Sequence, residues 1–166
     1  IRVLKPLDLD YYAGVLGEYE LLYLGYREMD RGSVVDVDDR LVRPAYPYLL
    51  SSYALSPAGA AKLIDTHIRT KIIPVDEYVP IMIGYTHDHN PDATENMMEH
   101  VAEYQQYEKL SAVALRDPSV TQISRSLLGS DIESGKNMSE QKVHVLTVAS
   151  DESKAGLLLK SAERQG

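Results

Sequence analysis

The chain has 166 residues, 44% of them hydrophobic and 25% charged, and carries a formal net charge of −8. Such a length buries the core of an ordinary domain, and such a composition belongs to a folded chain rather than a disordered one. An acidic balance without a basic stripe argues against a nucleic-acid groove, no apolar run reaches a membrane-spanning 18 residues, and the absence of cysteine removes disulfides, thiolate metal sites and thiol nucleophiles.

The aromatic content is biased: twelve tyrosines, no phenylalanine and no tryptophan. A core built only from tyrosine carries hydroxyls that need partners. No secretory leader pattern is visible at the start of the sequence as given.

In chain order, Ile1 to Leu9 is a short mixed piece interrupted by Pro6, with no assigned role. Glu20 to Gly25 reads as a compact apolar strand closed by glycine. Residues 27–40, where Asp30, Asp36, Asp38 and Asp39 alternate with Arg27, Arg31 and Arg40, read as a charged surface loop. Tyr48 to Leu55 is a strand. Ser56 then sits at a helix N-cap, with Pro57 in the first helical position, where its missing N–H costs nothing. Ala58 to Ile64 is a helix of small residues, able to lie close against a sheet.

Pro74-Val-Asp-Glu-Tyr-Val-Pro80 holds two adjacent carboxylates between two prolines that stiffen the backbone. Tyr78 to Tyr85 is compatible with either a helix or an extended run. Residues 86–91 form a polar loop with His87 and His89. Thr94 to Leu110 shows Met97, Met98, Val101, Tyr104 and Tyr107 at helical spacing, and Ser119 to Ile123 is a short strand. This alternation predicts an α/β domain with a mostly parallel sheet. Residues 135–142 are a polar linker. Val143 to Val148 and Glu152 to Glu163 then read as the first strand and helix of a new α/β unit.

Three pieces in this order, Tyr19-Glu-Leu-Leu-Tyr-Leu-Gly25, the run from Tyr53-Ala-Leu-Ser-Pro-Ala-Gly to Ile73-Pro-Val-Asp-Glu-Tyr-Val-Pro-Ile-Met82, and Gly129-Ser-Asp-Ile-Glu133, resemble the C-terminal half of a glycosyltransferase family. That family holds the procollagen galactosyltransferases and the bacterial lipooligosaccharide galactosyltransferases. The resemblance covers about residues 15–134, with Glu20 where the family usually has aspartate. Val143-His-Val-Leu-Thr-Val-Ala-Ser150 and the residues after it resemble the opening of the glycosyltransferase domain of lysyl hydroxylases, with Ser150 where threonine is usual.

The resemblance implies an α/β, GT-A-like nucleotide-sugar transferase fold, incomplete in this chain. Residues 1–134 would be an acceptor-side half, 135–142 a linker, and 143–166 the start of a second transferase-like domain. It further implies a metal-dependent inverting transfer of galactose from UDP-galactose to a hydroxyl acceptor, with Mn²⁺ as cofactor and a collagen-like or glycan acceptor as partner. Collagen-type hydroxylysine as acceptor would imply the endoplasmic reticulum lumen, and a lipooligosaccharide acceptor the cytoplasm. A non-catalytic scaffold, or a half-domain completed by another chain, is the rival expectation.

An inverting transfer needs a base to take the proton of the attacking hydroxyl. The resemblance assigns that role to Asp76, with Glu77 as acceptor ligand or fold support. The structural alternative is that both acids favour the start of a helix through its dipole and its free N–H groups. Ser130, Asp131 and Glu133 are placed by the resemblance near the donor, with Asp131 at the metal, and a turn or helix cap at Ser130 explains the same residues equally well. The lysyl-hydroxylase resemblance places Thr147 and Ser150 at the donor nucleotide of the second unit. Tyr53 is a candidate for stacking on a sugar face, as is Tyr48, against core packing for both. Asp36-Val-Asp38 has the Asp-x-Asp pattern that holds hard cations. It follows the Tyr-Leu-Gly strand and lies among arginines, so it reads as a solvated loop. His87, His89 and His100 read as surface histidines, because no third ligand stands at a metal-binding spacing.

Overall fold

The computed structural model of the chain describes residues 2–68, 73–88 and 90–122. Ser130, Asp131, Glu133, Thr147, Ser150, the linker at 135–142 and the unit at 143–166 lie outside them.

In chain order the elements are β1 (Arg2–Val3), α1 (Leu9–Glu18), β2 (Leu21–Glu28), β3 (Val35–Asp36), β4 (Leu41–Arg43), β5 (Pro47–Leu55), α2 (Pro57–Asp65), α3 (Val75–Met82), α4 (Glu95–Tyr104), β6 (Ala112–Leu115) and β7 (Val120–Thr121). Strands β3-β4-β6-β2-β5 form a sheet in that spatial order, and β1 pairs with β7. The class is mixed α/β, but the expected mostly parallel sheet is corrected. Among the described strands of this sheet only β2–β6 is parallel, while β2–β5, β4–β6 and β3–β4 are antiparallel. The reason is local. The stretch read as a surface loop hides a hairpin, whose turn is closed by the Asp38 carboxylate accepting the N–H groups of Arg40 and Leu41, each at 2.7 Å.

The strand β2 shows why both sheet faces are covered. Side chains alternate along a strand, so Leu21 and Tyr23 face one way and Leu22 and Leu24 the other. Leu21 and Tyr23 join Val42 and Ala114 beneath α3 and α4, packing with Tyr78, Ile81, Met82, Val101 and Tyr104. Leu22 and Leu24 join Leu41, Val113 and Leu115 beneath Tyr12 and Val15 of α1. Each such fully buried side chain contributes about 1.5–3 kcal/mol of transfer free energy.

The strand does not close at Gly25 but runs on to Glu28. Gly25 is needed for close approach, since a Cβ there would collide with the Val120 carbonyl oxygen. The helix α1 has no counterpart in the sequence reading. Gly14 and Gly17 lower its intrinsic propensity, and it forms because the Asp8 side chain caps it and Tyr12 and Val15 are buried.

The helix α2 forms as its sequence dictates. Ser56 Oγ accepts the Gly59 N–H at 3.1 Å, Pro57 occupies the first position, and a Cβ on Gly59 would stand 2.7 Å from the Glu20 carbonyl. The segment Pro74–Pro80 is not extended: it is most of α3, with Pro74 at the N-cap and Pro80 inside the helix. Helix α4 ends at Tyr104 rather than at Leu110, because the chain turns there. Lys109 Nζ reaches back to the Tyr104 carbonyl at 2.7 Å, and the Leu110 N–H bonds the Met82 carbonyl at 2.8 Å. No described helix is long and apolar enough to cross a membrane.

Candidate functional site

The site is built outward from the end of β2. The Glu28 carboxylate accepts three backbone N–H groups, from Asp30 at 3.0 Å, Tyr46 at 2.7 Å and Ala45 at 3.1 Å. Those bonds fix the segment entering β5 and so aim Tyr46. Its ring stacks on Tyr85, with centroids 4.1 Å apart and planes 11° from parallel. Its hydroxyl donates to both oxygens of Glu77, at 3.0 and 2.9 Å. Burial and the neighbouring carboxylate both push the Tyr46 hydroxyl pKa up, so it stays a donor.

Glu77 lies in the first turn of α3, next to Asp76. The helix-start alternative therefore holds for both acids, and the dipole favours them there. Their surroundings differ. Glu77 lines a cleft of about 510 Å³ whose walls include Tyr46, Tyr48, Tyr85, Asp30 and Asp92. Met29 and Met97 supply apolar surface to the same cleft, and Asn90 and Pro91 close one side. Met97 is held there by the N-cap of α4, with Thr94 Oγ1 accepting the Met97 N–H at 3.2 Å.

Asp76 is half-buried and turned toward β5, where its Oδ1 accepts the Leu50 N–H at 3.2 Å. The register of β2 against β5 breaks between Gly25 and Arg27, and Leu49 there has φ 58°. A bulge leaves a ladder N–H unpaired, and Asp76 satisfies it.

The reading of His87 as a surface histidine is corrected. It is 2% exposed, with φ 63°, a conformation in which His is enriched among non-glycine residues. Its ring packs edge-on against Tyr46 and Tyr85. Nε2 stands 3.3 Å from Glu77 Oε2, close but not aligned as a hydrogen bond. Nδ1 faces the Asn90 side-chain nitrogen at 3.3 Å. Burial pulls the His87 pKa below its ordinary value, and the Glu77 charge opposes that shift only in part. His89 lies outside the described residues.

Of the remaining candidates, Tyr53 is 48% exposed on β5, paired opposite Tyr23 and away from the cleft lining. Asp36 pairs with Arg116 at 2.9 Å, and Asp38 closes its turn, so the Asp-x-Asp pattern serves the hairpin. Among the described residues no group of three acidic or imidazole side chains is arranged to hold a metal ion. The metal-ligand candidate of the resemblance, Asp131, lies outside them.

Sequence reasoning passed over Glu28, Tyr46 and Tyr85 and set His87 aside as a surface residue. A signal exists only for Tyr46, which falls next to Pro47 at the start of a strand. The others are brought together by folding across the 59 positions of chain that separate Glu28 from His87.

No family model matches the chain, and no solved structure matches it. Curated relatives do. The chain is 39% identical over 80 residues to a glycosyltransferase 25 family member of Drosophila pseudoobscura pseudoobscura, and 35% identical over 79 residues to one of Drosophila melanogaster. It is 36% identical over 66 residues to the inactive glycosyltransferase 25 family member 3 of Homo sapiens. These alignments cover 46%, 46% and 39% of this chain and 12%, 12% and 11% of the relatives. The chain thus spans about an eighth of the length of the curated relatives it matches. The similarities support a glycosyltransferase relationship, and the mixed α/β architecture is consistent with part of such a domain.

Proposed function

We propose that the described residues form the acceptor side of a glycosyltransferase that moves a hexose, galactose from UDP-galactose, onto a hydroxyl with inversion. The observation that carries this reading is the Glu77 carboxylate on the wall of an aromatic cleft, gripped from one side by the Tyr46 hydroxyl. A carboxylate held still beside a sugar-sized cavity is suited to take the proton of an attacking hydroxyl. In this reading Glu77 is the base. Asp76 sets the bulge of β5 next to Tyr48, a cleft residue.

Charge divides the labour. Among the described residues no lysine or arginine lines the cleft, whereas Asp30, Glu77 and Asp92 do. A diphosphate donor is repelled by such a wall, so the donor belongs elsewhere. The resemblance assigns it to Ser130, Asp131 and Glu133, with Mn²⁺ at Asp131. Thr147 and Ser150 belong to the donor site of the second transferase-like unit that the lysyl-hydroxylase resemblance implies. When bound, the metal would neutralise the diphosphate leaving group. An acceptor with a hydroxyl and a nearby ammonium, such as hydroxylysine in a collagen-like peptide, suits an acidic, tyrosine-lined cleft better than a neutral lipooligosaccharide glycan does.

The test is transfer by the full polypeptide that carries these residues, supplied with Mn²⁺, UDP-galactose and a hydroxylysine peptide. Full turnover in a Glu77→Gln variant removes the assignment. A second reading is favoured by the human relative, whose name calls it inactive, and by the bovine relative, called probable inactive, which is 38% identical over 66 residues. In that reading the fold is retained as a non-catalytic scaffold that binds no donor. Calorimetry with UDP and Mn²⁺ separates the two, since a scaffold gives no saturable heat.

A further inference from the structure

The loop after α3 carries a side-chain network that neither the sequence resemblance nor the relatives assign. Its logic starts at Asn90, whose side-chain oxygen accepts the Asp92 N–H at 3.0 Å. That bond orients the amide, so the group facing His87 Nδ1 at 3.3 Å is the NH₂ donor. The His87 Nδ1 must then accept, and the proton of the neutral ring sits on Nε2, the atom 3.3 Å from the Glu77 carboxylate. The backbone holds the arrangement: the Asn90 N–H bonds the His87 carbonyl at 2.9 Å, closing the turn. The groups facing the ring from packed elements are Glu77 of α3, Tyr46 before β5, and Tyr85 and Asn90 of its own loop.

We propose that His87 is a positioning residue for Glu77, locked by Asn90 in the Nε2–H tautomer so that its proton is aimed at the cleft carboxylate. The inference rests on the reading of Glu77 as the cleft's working acid, but its geometry is independent of which sugar or acceptor is used. Tyr46 grips the carboxylate by one donor and His87 stands behind it as the second. The Nε2 contact is not yet in line, as is common for such bonds before a ligand closes the site. Burial that disfavours the imidazolium keeps the ring neutral, and the Asn90 contact then selects the tautomer.

Two measurements test this. Nitrogen-15 spectra of the 166-residue chain read the tautomer directly. The expected result is Nε2–H at neutral pH, with the Nε2 signal moved by Glu77→Gln and the tautomer preference relaxed by Asn90→Ala. An Nδ1–H ring, or an Nε2 signal indifferent to Glu77→Gln, overturns the proposal. Kinetics of the full polypeptide supply the second readout. His87→Ala is expected to lower kcat by about 10- to 100-fold with little change in KM, as for a reacting group displaced by about 1 Å. His87→Gln, whose amide N–H can still donate to Glu77, is expected to recover much of it. Equal losses in the two variants overturn the positioning role in favour of simple packing. If no transfer is seen with any acceptor while the spectra behave as expected, the transferase reading falls and the His87–Glu77 pairing stands.

Discussion

The Tyr46 hydroxyl reaches both oxygens of the Glu77 carboxylate, at 3.0 and 2.9 Å, across 31 positions of chain. That bond ties the residue before β5 to the first turn of α3 at the wall of the cleft. It also explains how an acid in a helix's first turn, a position that usually means only dipole compensation, is turned to face a cavity.

Removing the bond while keeping the ring isolates its worth. Tyr46→Phe retains the stack on Tyr85 and leaves the carboxylate without its main donor. A hydrogen bond to a charged group is worth about 1.5–3 kcal/mol, and chemical denaturation should show a loss in that range. A loss below about 0.5 kcal/mol would mean that the carboxylate finds water instead.

Glu28 should matter as much as any residue that touches the cleft. Its two oxygens accept three backbone N–H groups, and Glu28→Gln replaces one of those oxygens with a donor aimed at a donor. A cost of about 1–3 kcal/mol is expected by equilibrium unfolding, together with weaker protection from exchange at the Ala45 and Tyr46 amides. Unchanged protection at those amides would contradict the role assigned to Glu28.

Buried His87 makes stability depend on pH with a definite sign. Its folded pKa is lowered from 6.5 by burial, so between that lowered value and 6.5 the unfolded chain binds more protons than the folded one. The contribution of neutral His87 is therefore fully present above about 6.5 and is lost as pH falls through that window, levelling off once both states are protonated. Urea unfolding at pH 7.5 and 5.5 should show a larger drop for the wild type than for His87→Gln. Equal drops would mean that His87 titrates as if exposed.

The parts of the fold that could be read from the sequence were those decided by neighbours in the chain. Ser56 and Pro57 start α2 because capping and a fixed φ act within four residues, and Tyr48 to Leu55 forms a strand through its own aromatic and aliphatic content. Strand direction was not legible. The β3–β4 turn depends on one carboxylate, Asp38, within a run whose charge reads as solvent-facing loop. The helix α1 was hidden by Gly14 and Gly17, whose local cost is offset only by burial of Tyr12 and Val15. At the site, the sequence singled out Asp76 and Glu77 together but could not say which way each would turn. That is set by the bulge at Leu49, which claims Asp76, and by Tyr46, which claims Glu77. His87 resembled a loop histidine because its burial comes partly from Tyr46, which packs edge-on against it from a distant segment.

The most direct test compares two isosteric variants in one assay. With Mn²⁺, UDP-galactose and a hydroxylysine peptide, Glu77→Gln in the full polypeptide should lower kcat by about 10²- to 10⁴-fold, the usual worth of a general base. Asp76→Asn, which keeps an oxygen for the Leu50 N–H, should lose less than about tenfold. The reverse order, with Asp76→Asn inactive and Glu77→Gln turning over normally, would contradict the assignment of the cleft and its base.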